Sequence, residues 1–454
     1  MNVAFGRRLI PPTVVLVSFT LLTLSSTISP TTVDHVLITL GVTPFRFAFL
    51  DLDTILSALR CRRMGIDVFS SNPCDALGRV FDYSPLWLVA DVLPVTADWV
   101  RPGGLLVDLA FISTLSLLPP GRGRWQVAIL VACALSTPVA FALERANNDL
   151  IVFVLAALAA ALAARHFRWR LVGYLCALLA GMLKYYPLLL LLLICRERLV
   201  VAGAVSGAAA LVLFGGVGLA WADLHQALPL IPTGQFFGDM FGVSTLPLGL
   251  TYLWGLPPIV AQMGLVTLIV VSALAALRFG LSTSVGRDVA GLTERERLFL
   301  LAGALLILGC FFAAQNIGYR ALHLLLAAPA LTALATIAPR RRVYRVSVAA
   351  LVILLWAEGW RHWVDAAVLH RAPWETVAPA VGTSAQLLAW CAREACWWWL
   401  VTVLAGLSFN VLMASPVGQA LLPTLWRQLS RGAAPGGEGG EQPGHLGIAP
   451  EHHA

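Results

Sequence analysis

The chain has 454 residues, of which 59% are hydrophobic and only 12% charged, and its mean hydropathy is +0.81. A soluble chain carries about twice that charge fraction to cover its surface, so the composition excludes an ordinary globular domain. The formal charge of +7 does not make it a nucleic-acid binder, because the basic residues stand in short clusters between apolar runs, where the orientation bias of membrane proteins puts them.

In chain order, Arg7-Arg8 followed by the apolar run 12–29 reads as an uncleaved signal anchor with residues 1–11 in the cytoplasm. A long polar loop, 30–101, follows. Inside it Leu52, Ile55, Leu56 and Leu59 share one helical face, predicting a short helix lying on the membrane surface and ended by Gly65. Cys61 and Cys74 share this loop and can pair if it faces an oxidising compartment. Cys133, Cys176, Cys195 and Cys310 sit in apolar segments as small hydrophobes, and no Cys/His spacing reads as a metal site.

Further apolar segments cover 103–118, 126–143, 150–164, 171–195, 199–221, 258–277, 298–314, 321–338, 343–356 and 396–413. The expected fold is therefore an all-α polytopic transmembrane bundle of about 10–12 membrane segments over 12–422. A Gly- and Pro-rich tail, 423–454, has no apolar period and reads as disordered and cytoplasmic. The basic clusters at Arg7-Arg8, Arg122/Arg124, Arg165/Arg168/Arg170, Arg196/Arg198, Arg278–Arg297 and Arg340–Arg345 fall on one side under one condition. Segment 171–195 must enter and leave on the same face. It contains Lys184-Tyr185-Tyr186-Pro187, and proline breaks a helix there. A hairpin with its tip at Lys184 satisfies the orientation bias, and a single span violates it. With that choice the unexplained polar residues gather on the extracytoplasmic side.

Among those residues, Asp51 and Asp53 flank the apolar stripe of the loop helix on opposite sides and so cannot share one role. Two readings stand: one of them caps the helix, or one is a general base. The isolated basic residues Arg145, Lys184 and Arg320 sit at outside ends of spans, either to hold an anion or to snorkel and pair with Glu144 and Asp149. His225 and His362 lie in outside loops, and Asp239 belongs to a polar turn, Gly234 to Asp239. Trp360, Trp363, Trp374 and Trp397–Trp399 read first as an interfacial aromatic belt.

Several pieces together resemble one family. Asp51-Leu52-Asp53 followed by Gly65-Ile66-Asp67-Val68-Phe69 is similar to the first-loop pattern of the polytopic C-type glycosyltransferase superfamily, in particular glycosyltransferase family 87 and polyprenyl-phosphate-mannose-dependent mannosyltransferases. Glu144-Arg145-Ala146-Asn147-Asn148-Asp149 resembles that family's polar turn, with Ala146 where glycine is usual. Gly181 to Pro187 resembles its Gly-x-x-Lys-x-Tyr-Pro break, and Asn316-Ile317-Gly318-Tyr319-Arg320 its Tyr-Arg element.

The resemblance implies a membrane hexosyltransferase that moves a sugar, mannose first, from a polyprenyl-phosphate donor to an extracytoplasmic glycan or lipid acceptor. It implies inversion at the sugar and neither cofactor nor metal, since the leaving group is a lipid monophosphate. Asp51, with Asp53 second, would be the catalytic base. Lys184, Arg320 and Arg145 would hold the donor phosphate. Asp67, Asn148, Asp149, Tyr186, His225, Asp239, Asn316 and Tyr319 would line the substrates. The rival class is a transporter or lipid-linked sugar flippase, to which a broken helix with a cation near its apex is suited. Against it, the hydropathy pattern has no internal repeat.

Overall fold

The computed structural model describes residues 3–45, 47–231, 240–313, 316–338, 342–373 and 383–423. They form an all-α multi-pass bundle. The sole strand pairing among the described residues is a two-residue antiparallel ladder, Met240–Phe241 with Asn316–Ile317. Among the described residues seven helices are long and apolar enough to cross a bilayer, and the number rises to nine if each of two bent pairs is one span. Asn148–Ala163 and Tyr186–Arg196 are shorter apolar helices.

Burial separates inner helices from outer ones. The apolar windows of Glu294–Ala313 and Gly318–Ile337 are 78% buried, against 11% for Leu199–Leu219 and 17% for Pro258–Gly280, which leaves the latter pair to face lipid. Asn148–Ala163 packs through alanines, with Ala156, Ala157, Ala159, Ala160 and Ala163 fully buried. Such small residues let membrane helices approach closely.

Segment 126–143 is not one straight span. Arg124–Ala134 and Thr137–Arg145 meet at 42°, because Pro138 supplies no N–H to a continuing helix and sits instead in the first turn of a new one. Arg342–Leu355 likewise turns by 65° into Ala357–Leu369. The last long helix begins at Ser384, not near Cys396, under a capping box made by Thr383 and Gln386. The stretch that the sequence leaves between the apolar segments 343–356 and 396–413 is therefore partly helical.

Segment 171–195 is a hairpin. Phe167–Leu183 gives way to an extended Lys184, and a 3₁₀ helix, Tyr186–Arg196, runs back beside it. Arg170 Nε meets Glu197 Oε1 at 2.6 Å, and the Tyr174 hydroxyl donates to the same oxygen at 2.6 Å. The chain thus returns to the level at which it started. A Cβ on Gly181 would stand 2.5 Å from Leu188 Cδ2, so a side chain there would force the limbs apart.

The feet of the hairpin belong to one layer of charge. Arg122 pairs with Glu296 at 2.5 Å, Arg196 pairs with Glu294, and Arg8 and Arg295 donate to the carbonyls of Ser116 and Leu117. Every basic cluster named above that lies within the described residues and makes these contacts falls at this one end of the bundle. Lys184 lies at the other.

The loop helix is Leu50–Arg63. It ends in a Schellman motif: Gly65 N donates to Arg62 O at 2.9 Å and Ile66 N to Cys61 O at 3.1 Å, with Gly65 at φ +77°. Neither aspartate caps its start. Phe49 occupies the cap position in the left-handed region (φ 59°) with no side-chain cap, its ring pressed on the Cβ-less Gly104. The capping reading of Asp51 and Asp53 is thereby corrected.

Nor is one stripe the helix's only buried side. Ala58, Leu59 and Ile55 pack beneath Phe69, Phe81, Leu88 and Val95 in a small core of the loop's own, and Cys61 is bonded to Cys74. The helix is held between that core and the bundle.

Candidate active site

The Lys184 end holds a buried polar centre built around one carboxylate. Asn147 caps the Asn148–Ala163 helix, its Oδ1 accepting from Asp149 N at 2.8 Å. This places Asp149 in the first turn, where the helix dipole favours an anion. Asp149 is fully buried, and a buried charge is tolerated only when it is paired and hydrogen-bonded.

Asp149 has several partners. Lys184 Nζ lies 2.6 Å from Oδ2 and Arg320 Nε 3.4 Å from the same oxygen. The Tyr186 hydroxyl donates to Oδ1 at 2.5 Å and lies 2.7 Å from His323 Nε2. With that hydroxyl proton committed to Asp149, the His323 tautomer that fits carries its proton on Nε2 and donates to Tyr186. His323 Nδ1 is then a buried acceptor with no partner.

Asp51 joins the centre through Asn147. The same amide that caps the helix with its oxygen donates its Nδ2 to Asp51 Oδ2 at 2.5 Å. Arg79 Nη1 stands 3.6 Å from the other Asp51 oxygen. Arg79 in turn is anchored on Asp75 at 3.0 Å, on Leu50 O at 2.9 Å and on the Thr54 hydroxyl. Arg79 therefore fixes the 72–79 turn over the start of the loop helix. Burial would raise the Asp75 carboxyl, but the Arg79 guanidinium and the amides of Arg79 and Leu77 hold it below its ordinary value.

Lys184 and Arg320 both sit on Asp149, and Asp82 is a further carboxylate that feels the Lys184 charge. The Lys184 ammonium also lies 5.7 Å from the Tyr319 ring and 6.0 Å from the Tyr83 ring, and Arg320 lies 5.6 Å from the Tyr186 ring. In the same first helical turn as Asp149, both polar atoms of the Asn148 amide are buried and without a hydrogen-bond partner among the described residues.

The chain matches no protein-family model, no curated protein and no solved structure.

Of the residues singled out in the sequence, Asp51, Asn148, Asp149, Lys184, Tyr186, Tyr319 and Arg320 are brought together. Asn316 joins them by accepting from Arg320 Nη1. Lys184 and Arg320 are not isolated cations, as their sequence neighbourhoods suggest. They converge on Asp149 because the hairpin tip and the head of the 318–337 span both meet the start of the Asn148–Ala163 helix.

The other residues lie elsewhere. Asp53 faces the loop, accepting from Ala76 N at 3.3 Å with Arg60 at 3.7 Å, and burial raises its carboxyl above the ordinary value. Arg145 stacks between the rings of Phe45 and Phe141 at 4.4 and 4.2 Å and pairs with Glu144 at 3.6 Å. Asp67 makes a local turn by accepting from Phe69 N at 3.1 Å. His225 is exposed beside Trp221. Asp239 lies outside the described residues.

Asn147, Arg79 and His323 are absent from the sequence-based set. His323 carries a signal, since it falls four residues after Tyr319 on one helical face of an otherwise apolar run. Arg79 carries none, being one of several loop arginines. Asn147 sits inside the quoted turn, but its partner Asp51 lies 96 residues away.

Proposed function

We propose that the protein is a membrane glycosyltransferase that moves a hexose, mannose in the first instance, from a polyprenyl-phosphate carrier to a hydroxyl of an extracytoplasmic glycan or lipid. The observation that carries this reading is the link, through the single amide of Asn147, between one carboxylate, Asp51, and the two cations gathered on Asp149.

In this reading Asp51 takes the proton from the acceptor hydroxyl as its oxygen attacks the anomeric carbon. The bond from that carbon to the phosphate oxygen breaks, and the configuration inverts. A donor phosphodiester carries one negative charge, for which Lys184 and Arg320 are the nearby cations. A second charge grows on the phosphate as the bond breaks. Groups already in place then count for more in the transition state than in the ground state. The Lys184 and Arg320 hydrogens not spent on Asp149 fill that role. Asp149 and Tyr186 hold the two cations in position. The reading puts the Lys184 end on the extracytoplasmic side, because the basic layer lies at the opposite end.

The test is release of polyprenyl phosphate by the full chain in nanodiscs, given polyprenyl-phosphate mannose and a membrane glycolipid extract, with no ion gradient. Sugar movement across sealed vesicles with the sugar–phosphate bond intact would support the transporter class instead.

A further inference from the structure

At the end of the bundle opposite Lys184, three guanidinium groups gather with no carboxylate among them. Arg8 Nε donates to Ser116 O, and Arg295 Nη2 donates to the next carbonyl, Leu117 O, at 2.5 Å. Arg165 follows directly on the end of the Asn148–Ala163 helix and repels both of the others.

The neighbouring arginines have acidic partners: Arg122 has Glu296, Arg170 has Glu197 and Arg196 has Glu294. Arg8, Arg165 and Arg295 make no ion pair among the described residues, and Arg295 Nε is buried without a hydrogen-bond partner. A helix-end carbonyl uses one donor of a guanidinium that has five, and it cancels no net charge. Three positive charges thus remain on groups contributed by two helices and by the turn that follows a third.

The depth of this cluster is marked independently. Trp125 (73% exposed), Trp169 (55%) and Phe167 (43%) stand out from the same end of the bundle, next in sequence to Arg124, Arg168 and Arg170. Exposed tryptophans beside arginines are the signature of the headgroup level of a bilayer. The anion that reaches a cation cluster there is a phosphate of the membrane itself.

We propose that Arg8, Arg165 and Arg295 form a binding site for the phosphate of an anionic phospholipid. The bound headgroup ties the amino-terminal helix, whose apolar window is only 17% buried, to the Asn148–Ala163 and Glu294–Ala313 helices. The site is independent of glycosyl transfer, and it stands whether or not that reading does.

The experiment uses the full chain in mixed micelles of a nonionic detergent with phosphatidylglycerol or phosphatidylcholine. Retained lipid is counted by native mass spectrometry after delipidating washes. The wild type keeps one phosphatidylglycerol and no phosphatidylcholine, and Arg165→Gln weakens retention about fivefold, as does Arg295→Gln. Arg165 is exposed and its side chain makes no hydrogen bond among the described residues, so its substitution leaves folding intact even if the Arg295 variant proves unstable. Arg168→Gln, exposed at the same end, leaves retention unchanged. Equal loss in Arg168→Gln would overturn the site in favour of diffuse surface attraction. Absence of retained phosphatidylglycerol in the wild type would also overturn it, as would displacement by millimolar inorganic phosphate, which would make the ligand a free anion.

Discussion

Replacing Asp51 by Asn separates its chemistry from its structural work. The Asn147 Nδ2 hydrogen bond survives, because an asparagine oxygen accepts as a carboxylate does. What is lost on the structural side is the contact to Arg79, an ion pair at 3.6 Å whose arginine is one-third exposed. A pair of that geometry contributes about 0–1 kcal/mol, so the variant folds, and its melting curve shifts little.

Turnover behaves differently. Loss of a general base costs about 10²–10⁴-fold, or roughly 3–5 kcal/mol in the barrier at about 1.4 kcal/mol per tenfold. Polyprenyl-phosphate release in nanodiscs measures the second quantity, thermal unfolding of the same sample the first, and donor binding should be retained. An Asp51→Asn enzyme within tenfold of wild-type turnover would refute the assignment. So would a variant whose lost activity is matched by an equal loss of folded protein.

Three further outcomes follow from the same geometry. Lys184→Met leaves the buried Asp149 with Arg320 at 3.4 Å as its only close cation and should cost about 3 kcal/mol of stability. The double variant with Asp149→Asn should recover at least half of that, and strict additivity in chemical denaturation would contradict the pairing. Ala146 lies in the left-handed region at φ 43°, so relief of about 1–2 kcal/mol of backbone strain offsets the lost methyl and the added unfolded-chain freedom. Ala146→Gly should therefore stay within about 1 kcal/mol of the wild type, whereas Ala160→Gly inside a buried helix loses about 2 kcal/mol. Finally, the Asp75 carboxyl is lowered in the folded loop, so its contribution is complete above the ordinary value of 3.8 and is lost as pH falls through the lower folded value. Protease sensitivity of the 72–79 turn should rise only below about pH 4, and a rise already at pH 6 would point to another group.

The sequence made some of this structure legible and hid the rest for physical reasons. Long apolar runs separated by charge announce membrane helices directly, because lipid tolerates little else. The hairpin at Lys184 was readable from two independent constraints, proline chemistry and the orientation of the later basic clusters. Bends were harder. Hydropathy runs on through Pro138, and no residue between Leu355 and Ala357 advertises a 65° turn. The cationic pair was legible as residues but not as a pair, because Lys184 and Arg320 are 136 positions apart and meet only on Asp149. Asn147 was the hardest to see. A helix cap explains it completely within its own turn, and nothing local shows that its other amide atom reaches Asp51.

The closed hairpin has a consequence for how such a chain can change. Because Arg170 and Glu197 meet at its feet, the excursion between them returns to the end of the bundle it left and leaves the parity of the crossings unaltered. Everything downstream keeps its orientation whether the excursion is present, lengthened or absent. A closed excursion of this kind is a topologically silent insert: it can deliver a single cation to the opposite end of the bundle without inverting any other part of the protein. Lengthening one limb by a residue would swing Lys184 around the helix axis by about 100° while the feet stayed closed. The position of the cation can therefore drift or be retuned independently of the architecture that carries it.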